Sequence, residues 1–269
     1  MAGSALASVT TRPRTALSRG PFAEAVDGGV AYFRRRCDDQ LPLVIDLRDA
    51  IASGDLTAAQ HAYVESRPPY EEIETLAYAF EDSDRDIDAR PYAFDGGETD
   101  AEFRGFHKIE VLLYAHEDLT AALPHADGLV DSVRRLRREL DEPSRFTAEG
   151  QFDGMIALSN EVSAKKISSE EETWSDQSLL IFRSNWEGII SQFRPFASVE
   201  GGVDIARSER VERAFGAAMD LVMPHFRDGT AAATPYSRIG IAERRVMADA
   251  SQRLRDAVID AGRSIGLVT

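Results

Sequence analysis

The sequence predicts an all-α protein of about eight helices in two stacked four-helix bundle units, and three observations carry that expectation. Apolar residues recur at helical spacing from Pro21 to the C-terminus. Capping residues and prolines divide that pattern into segments of ordinary helix length. No stretch alternates apolar and polar residues convincingly as a strand does, and no glycine-rich phosphate loop is present.

The elements follow in order. Residues 1–20, MAGSALASVTTRPRTALSRG, are small and polar and read as a disordered N-terminal segment. They lack the basic start and continuous apolar core of an intact secretion signal. Residues 21–269 read as one helical domain with halves of about 21–143 and 144–269. A first helix runs from Pro21 to a stop at Gly54, with Pro42 predicting a kink or break. Asp55 caps a second, which Pro68 and Pro69 distort near its middle. SDRDIDARPYAFDGGET, residues 83–99, reads as a loop. Thr99 caps a third helix through DAEFRGFHKIEVLLYAHED, with Glu102 as its capping-box partner. A fourth spans about Leu123 to Leu140, and Pro143 and Ser144 punctuate the midpoint. The second half offers a helix from Thr147, a polar connector SSEEETWSD, a helix over QSLLIFRSNWEGIISQFRPF, and two more over residues 203–227 and 236–263.

The net charge of −15 argues against nucleic acid as a partner, since phosphate binding needs a concentrated basic surface. The cluster Arg134, Arg135, Arg137 and Arg138 is diluted by Glu139, Asp141 and Glu142 and reads as a solvated helix face. Cys37 is the sole cysteine, so the chain has no internal disulfide and no cysteine-based metal cluster. No apolar run approaches the roughly 18 residues that span a bilayer, so the chain is not expected to be transmembrane.

The chemistry gathers around GFHKIEVLLYAHEDL, residues 105–119. On a helix, His107 and Glu110 lie about 60° apart on one face. Phe103, Phe106, Leu113 and Tyr114 share that face and turn it inward, and Ile109 and Leu112 make the helix apolar nearly all round. A buried carboxylate needs a cation, a metal or a proton, so the pair is either a polar contact fixing core packing or part of an ion site. PPYEEIE adds Glu71 and Glu74 on one face, with Glu72 expected to face solvent, and DRDIDAR adds Asp86, Asp88 and Arg90. If the helices pack antiparallel, Glu71 or Glu74 approaches His107 and Glu110, and Asp88 closes over the end. One imidazole among carboxylates suits iron(III), manganese or zinc and not copper(I). Arg90 and Tyr70 are placed to orient the carboxylates. EEETWSDQ groups Glu170, Glu171, Glu172 and Asp176 near Trp174, where a charged connector is the plainer expectation than a contribution to the site.

Pro69-Tyr70-Glu71-Glu72-Ile73-Glu74, Ile87-Asp88-Ala89-Arg90 and Gly105-Phe106-His107-Lys108-Ile109-Glu110 resemble, in order, the motifs of the imelysin-like domain of EfeO/EfeM proteins. KISSEEETWSDQSL, residues 166–179, resembles a further stretch of that family, and the likeness runs from about residue 22 to 265. The resemblance implies an extracytoplasmic, periplasmic or cell-surface, metal-binding component of a high-affinity iron-uptake system. It implies a membrane iron permease and in some systems a haem peroxidase as partners. No strand-rich segment matches a cupredoxin-like domain, so the short EfeM-type form is expected.

A binding protein, not an enzyme, is therefore the leading expectation, with His107, Glu110, Glu71, Glu74 and Asp88 as metal ligands. An imelysin-type metallopeptidase is the alternative, although residues 107–111 read HKIEV and lack the second histidine of HExxH. A ferritin-like di-iron protein would need Glu-x-x-His pairs on two helices, whereas a single pair in reversed order is present.

Overall fold

The computed structural model describes residues 20–169, 171–227 and 229–269. The expected disordered segment, Gly20 apart, lies outside them. Among the described residues the chain is all-α, with one isolated antiparallel bridge between Phe226 and Ala233 and no strand.

Helix α1, Ala23–Ser53, buries Val30, Phe33, Cys37, Val44 and Leu47 at helical spacing. It ends at Gly54, which takes the left-handed conformation (φ 79°) and returns its N–H to Ile51 O. Pro42 does not break it: the helix continues through the proline, held by packing against helices that follow it in the chain. Such packing outweighs the roughly 3 kcal/mol that an interior proline costs.

Asp55 caps α2, Leu56–Ser66, through Ala58 N at 2.9 Å. Pro68 and Pro69 open α3, Pro68–Ile73, where a missing N–H costs nothing, so the expected distortion is a clean change of helix. A 3₁₀ segment, Glu74–Ala79, leads to α4, Glu81–Asp88. The expected loop thus begins later: Glu81, Asp82 and Asp84 favour a helix N-terminus, and Ile87 is buried.

The helix expected from Thr99 starts instead as α5, Phe106–Glu110. Thr99 Oγ1 donates to Gly96 O, and Asp100 accepts from Glu102 N, so these groups build a turn. Gly105, at φ 86°, lies outside helical geometry and fixes the true start. A π-helical turn, Val111–Ala115, follows.

Asp118 caps α6, Leu119–Glu139, through Ala121 N, a turn earlier than expected. Thr147 caps α7, Ala148–Glu161, as expected. A second π-helical turn, Val162–Lys166, leads to α8, Ile167–Ser169. Helices α9, Ser178–Ser198, α10, Ile205–Val222, and α11, Ile241–Ser264, complete the chain.

Helix α1 packs along α2 and α6, while α10 and α11 pair and α11 covers α7. Between these groups α9 touches α1, α3, α7 and α10. The buried indole of Trp186 donates to Ser251 Oγ at 3.1 Å, and Ser251 Oγ donates to Ser159 O at 2.8 Å, tying α9, α11 and α7. Where α9 crosses α3, a Cβ on Gly188 would lie 2.2 Å from Glu72 O and 2.8 Å from Glu72 Cα. The two backbones are in contact there, and that contact carries α3's acidic face to the molecule's centre. Gly188→Ala is expected to destabilise the protein by about 1–3 kcal/mol through overpacking, read by chemical denaturation; an unchanged midpoint would contradict the close crossing.

Candidate metal centre

The centre is built where α4 meets α5. A Cβ on Gly105 would lie 2.3 Å from Ile87 O, so the turn into α5 presses directly on the last turn of α4. This close approach sets His107 beside Asp88. His107 Nε2 is 3.6 Å from Asp88 Oδ1, and Nδ1 is 3.2 Å from Glu110 Oε2. Glu110 is held by the backbone on its other side: Oε1 accepts from Trp174 N at 2.9 Å and Ser175 N at 2.8 Å. The connector before α9 thereby closes over the imidazole and brings two further carboxylates with it. Donor atoms of Asp88, His107 and Glu171 lie within 4.8 Å of one another, as do those of His107, Glu110 and Glu172, and all five residues are buried.

Three cations are threaded through this group. The Arg67 guanidinium is fully buried and meets Glu71 at 2.7 Å, Asp88 at 2.6 Å and Glu172 at 2.9 Å. It also lies over the Phe106 ring, 4.5 Å from its centroid. Lys166 Nζ, at the end of the second π-helical turn, meets Glu74 at 2.7 Å, Glu171 at 3.1 Å and Glu71 at 3.6 Å. Arg90 pairs with Glu171 and donates to His107 Nε2 at 3.4 Å. Tyr63 and Ser175 hydroxyls donate to Glu172 Oε2, and Tyr70 donates to Asp84. Glu74, Asp84, Asp88 and Arg90 line an open cleft of about 610 Å³, with Asp153 and Glu161 of α7 also on its walls.

Burial dominates the ionisation of these groups. It pushes the His107 imidazole down to about 4, so the ring is neutral near pH 7 and has a lone pair to offer. It pushes Glu71 up to about 8, against the pull of Arg67. Burial, with Glu74 nearby, raises Asp84 to about 7. Glu110 is raised by burial in spite of its two backbone donors, and Glu172 by burial with Glu110 beside it. Asp88 is the exception: burial works to raise it, but Arg67, His107 and Arg90 together hold it down to about 2. A neutral imidazole among oxygen donors, separated from an acidic cleft by Asp88 and Arg90 on the cleft's wall, is a hard-ligand set suited to a multivalent cation.

A match to the imelysin family covers residues 43–258. The chain belongs to that family. Among similar proteins is the iron uptake system component EfeM of Pseudomonas syringae pv. syringae (strain B728a), 29% identical over 222 residues, which are 81% of this chain and 76% of that protein. The iron uptake system component EfeO of Yersinia pseudotuberculosis serotype I is 31% identical over 182 residues, and that of Escherichia coli O1:K1 is 35% identical over 150. The aligned parts span 48% and 40% of those two EfeO proteins, so the chain matches less than half of their length.

The structure brings His107, Glu110 and Asp88 together. Glu71 and Glu74 face Lys166 and Asn185 instead of the imidazole: the Asn185 amide donates to Glu71 Oε2 at 3.1 Å and Glu74 Oε2 at 2.9 Å. They connect to the carboxylates around His107 through Lys166, which also meets Glu171, and Glu71 does so through Arg67, which also meets Asp88 and Glu172. Tyr70 reaches Asp84, and Arg90 reaches the imidazole itself. Glu72 does not face solvent as expected; it is buried and bonded by Tyr32 and Arg36, because α3 is covered on that side by α1. Glu171 and Glu172, expected to belong to a solvated connector, are inside the centre; Glu170 lies outside the described residues. Their sequence signals are the acidic run bracketed by Lys166 and Trp174 and the family-like stretch 166–179 that contains it. Arg67 and Lys166 carried no periodic signal at all.

These ionisation shifts give a pH dependence. Glu71 and Asp84 bind protons more tightly folded than unfolded, so their contribution is present at low pH and is lost as pH rises toward 7 and 8. His107 acts oppositely, but only between about 4 and its unfolded value near 6.5. From about pH 6.5 to 8 the carboxyl groups alone remain, and the metal-free protein is expected to lose stability on chemical denaturation across that window. Stability flat or rising there would contradict the assignment.

Proposed function

We propose that this imelysin-family protein binds iron at His107 and serves as an ion-capturing component of an iron-uptake system. The carrying observation is the neutral, buried imidazole set among carboxylates that the protein's own cations do not balance, at an open acidic cleft. The iron-uptake names of its EfeM and EfeO relatives favour iron over zinc or manganese as the cargo. His107 with Glu110 and Asp88 supplies the donors, and Glu171 or Glu172 completes the set. Glu71 and Glu74 act at one remove, through Lys166 and Arg67.

In this reading the protein works outside the cytoplasm and passes its ion to a membrane iron permease, with a haem peroxidase as a further partner in some systems. No helix among the described residues is long and apolar enough to cross a membrane, so passage through the bilayer falls to another component. The chain is read as one helical domain whose halves, about 21–143 and 144–269, supply the imidazole and the closing connector respectively.

Titration with iron, manganese and zinc tests this. One principal site is expected near neutral pH, with affinity lowered about a hundredfold or more in His107→Ala and in Glu110→Ala. Binding should weaken as pH falls, because protons compete for the imidazole and the carboxylates. Equal affinity in wild type and both variants would remove His107 and Glu110 from the ion's coordination.

A further inference from the structure

The three cations of the centre are not equivalent. Arg67 and Lys166 are completely buried, and each meets three carboxylates. Arg90 keeps 12% of its side chain exposed, lines the cleft, and reaches outward through Nη1 to the hydroxyl of Tyr92, itself 76% exposed. Its backbone is extended (φ −91°, ψ 160°), in the link between α4 and the short 3₁₀ turn Pro91–Ala93; its carbonyl accepts from Ala93 N at 2.9 Å, and the residue belongs to neither element. Its two inward contacts, His107 Nε2 and Glu171, belong to the same donor triad, completed by Asp88.

We propose that Arg90 is a displaceable internal counter-ion: its guanidinium holds the cation position of the Asp88–His107–Glu171 triad in the empty protein, and swings into the cleft when a metal ion enters. This rests on the metal-binding reading of the same centre. Three features make the exchange workable. Asp88 keeps Arg67 at 2.6 Å and Glu171 keeps Lys166 at 3.1 Å once Arg90 leaves, so both carboxylates stay oriented while oxygen lone pairs and Nε2 become free. The cleft has room for the side chain, and Asp153 and Glu161 on its walls supply carboxylates for the departing guanidinium. Exchanging one positive charge for a multivalent ion also moves a carboxylate-rich interior toward neutrality.

The consequence is a tethered competitor. An arginine attached beside the site is present at high effective concentration whatever the ion concentration outside, so it opposes binding and assists release. Tight capture is thereby tempered in a protein that must also let its ion go.

The test compares ion affinity and dissociation rate in wild type and Arg90→Gln, using manganese(II) and iron as probes. If Arg90 fills the site about nine-tenths of the time, its removal tightens apparent affinity about tenfold, with slower dissociation. Weaker or unchanged binding in a folded Arg90→Gln protein would overturn the proposal and make Arg90 a structural support for Glu171. A second measurement needs no variant: phenylglyoxal modification of Arg90, followed by mass spectrometry, should be slow in the metal-free protein and speed up when manganese(II) is added. Equal or slower labelling with metal would overturn it as well. Failure of the wild-type protein to bind any of these ions would instead remove the functional reading, and this inference with it.

Discussion

An unbalanced buried charge cluster governs this molecule. Among the described residues, the carboxylates Glu71, Glu74, Asp88, Glu171 and Glu172 converge on the cations Arg67, Arg90 and Lys166, Asp84 and Glu110 stand beside them on Tyr70 and on backbone N–H groups, and His107 stays neutral at ordinary pH. Carboxylates held out of water in excess must be protonated or find a cation. Burial pushes Glu71 up to about 8 and Asp84 up to about 7, which favours protons as one answer to that demand. A metal ion would meet it at the imidazole.

Much of the fold exists to hold this cluster in place against its own repulsion. Gly105 lets α5 press onto α4, and Gly188 lets α9 press onto α3, so acidic faces are clamped by backbone contacts that side-chain charge cannot push apart. The two π-helical turns have a related effect. One directly follows Glu110, and the other ends at Lys166, re-aiming the helix so that its ammonium meets carboxylates on three segments. Trp174 and Ser175 donate their backbone N–H groups to Glu110, which fixes the connector as a cover over the imidazole. With Glu110 accepting from Nδ1, the other ring nitrogen is turned toward Asp88, Glu171 and the cleft.

Much of this was legible in the sequence, for identifiable reasons. Helices with long apolar stripes and ordinary caps, such as α1 with Gly54, α2 with Asp55 and α7 with Thr147, follow local rules that tertiary contacts do not override. The interior position of His107 and Glu110 followed from the apolar residues around them. The errors fell where local signals competed. Thr99 with Glu102 imitates a capping box, yet the left-handed Gly105 delays the helix. Asp-rich residues 83–88 resemble a loop, yet acidic side chains also suit a helix N-terminus. Glu72, Glu171 and Glu172 look solvated because partners of each, Tyr32 and Arg36 for Glu72, Arg90 for Glu171 and Arg67 for Glu172, are distant in sequence. Burial created by long-range pairing leaves no periodicity to read.

The central claim is that protons and a metal ion are alternative occupants of one negatively charged interior. Calorimetric titration of the protein with metal near pH 7, in buffers of differing ionisation enthalpy, counts the protons exchanged. Release of about one proton or more per ion bound is predicted, because carboxyl groups that carry protons in the empty protein must give them up. Saturable binding with no proton release would contradict the account.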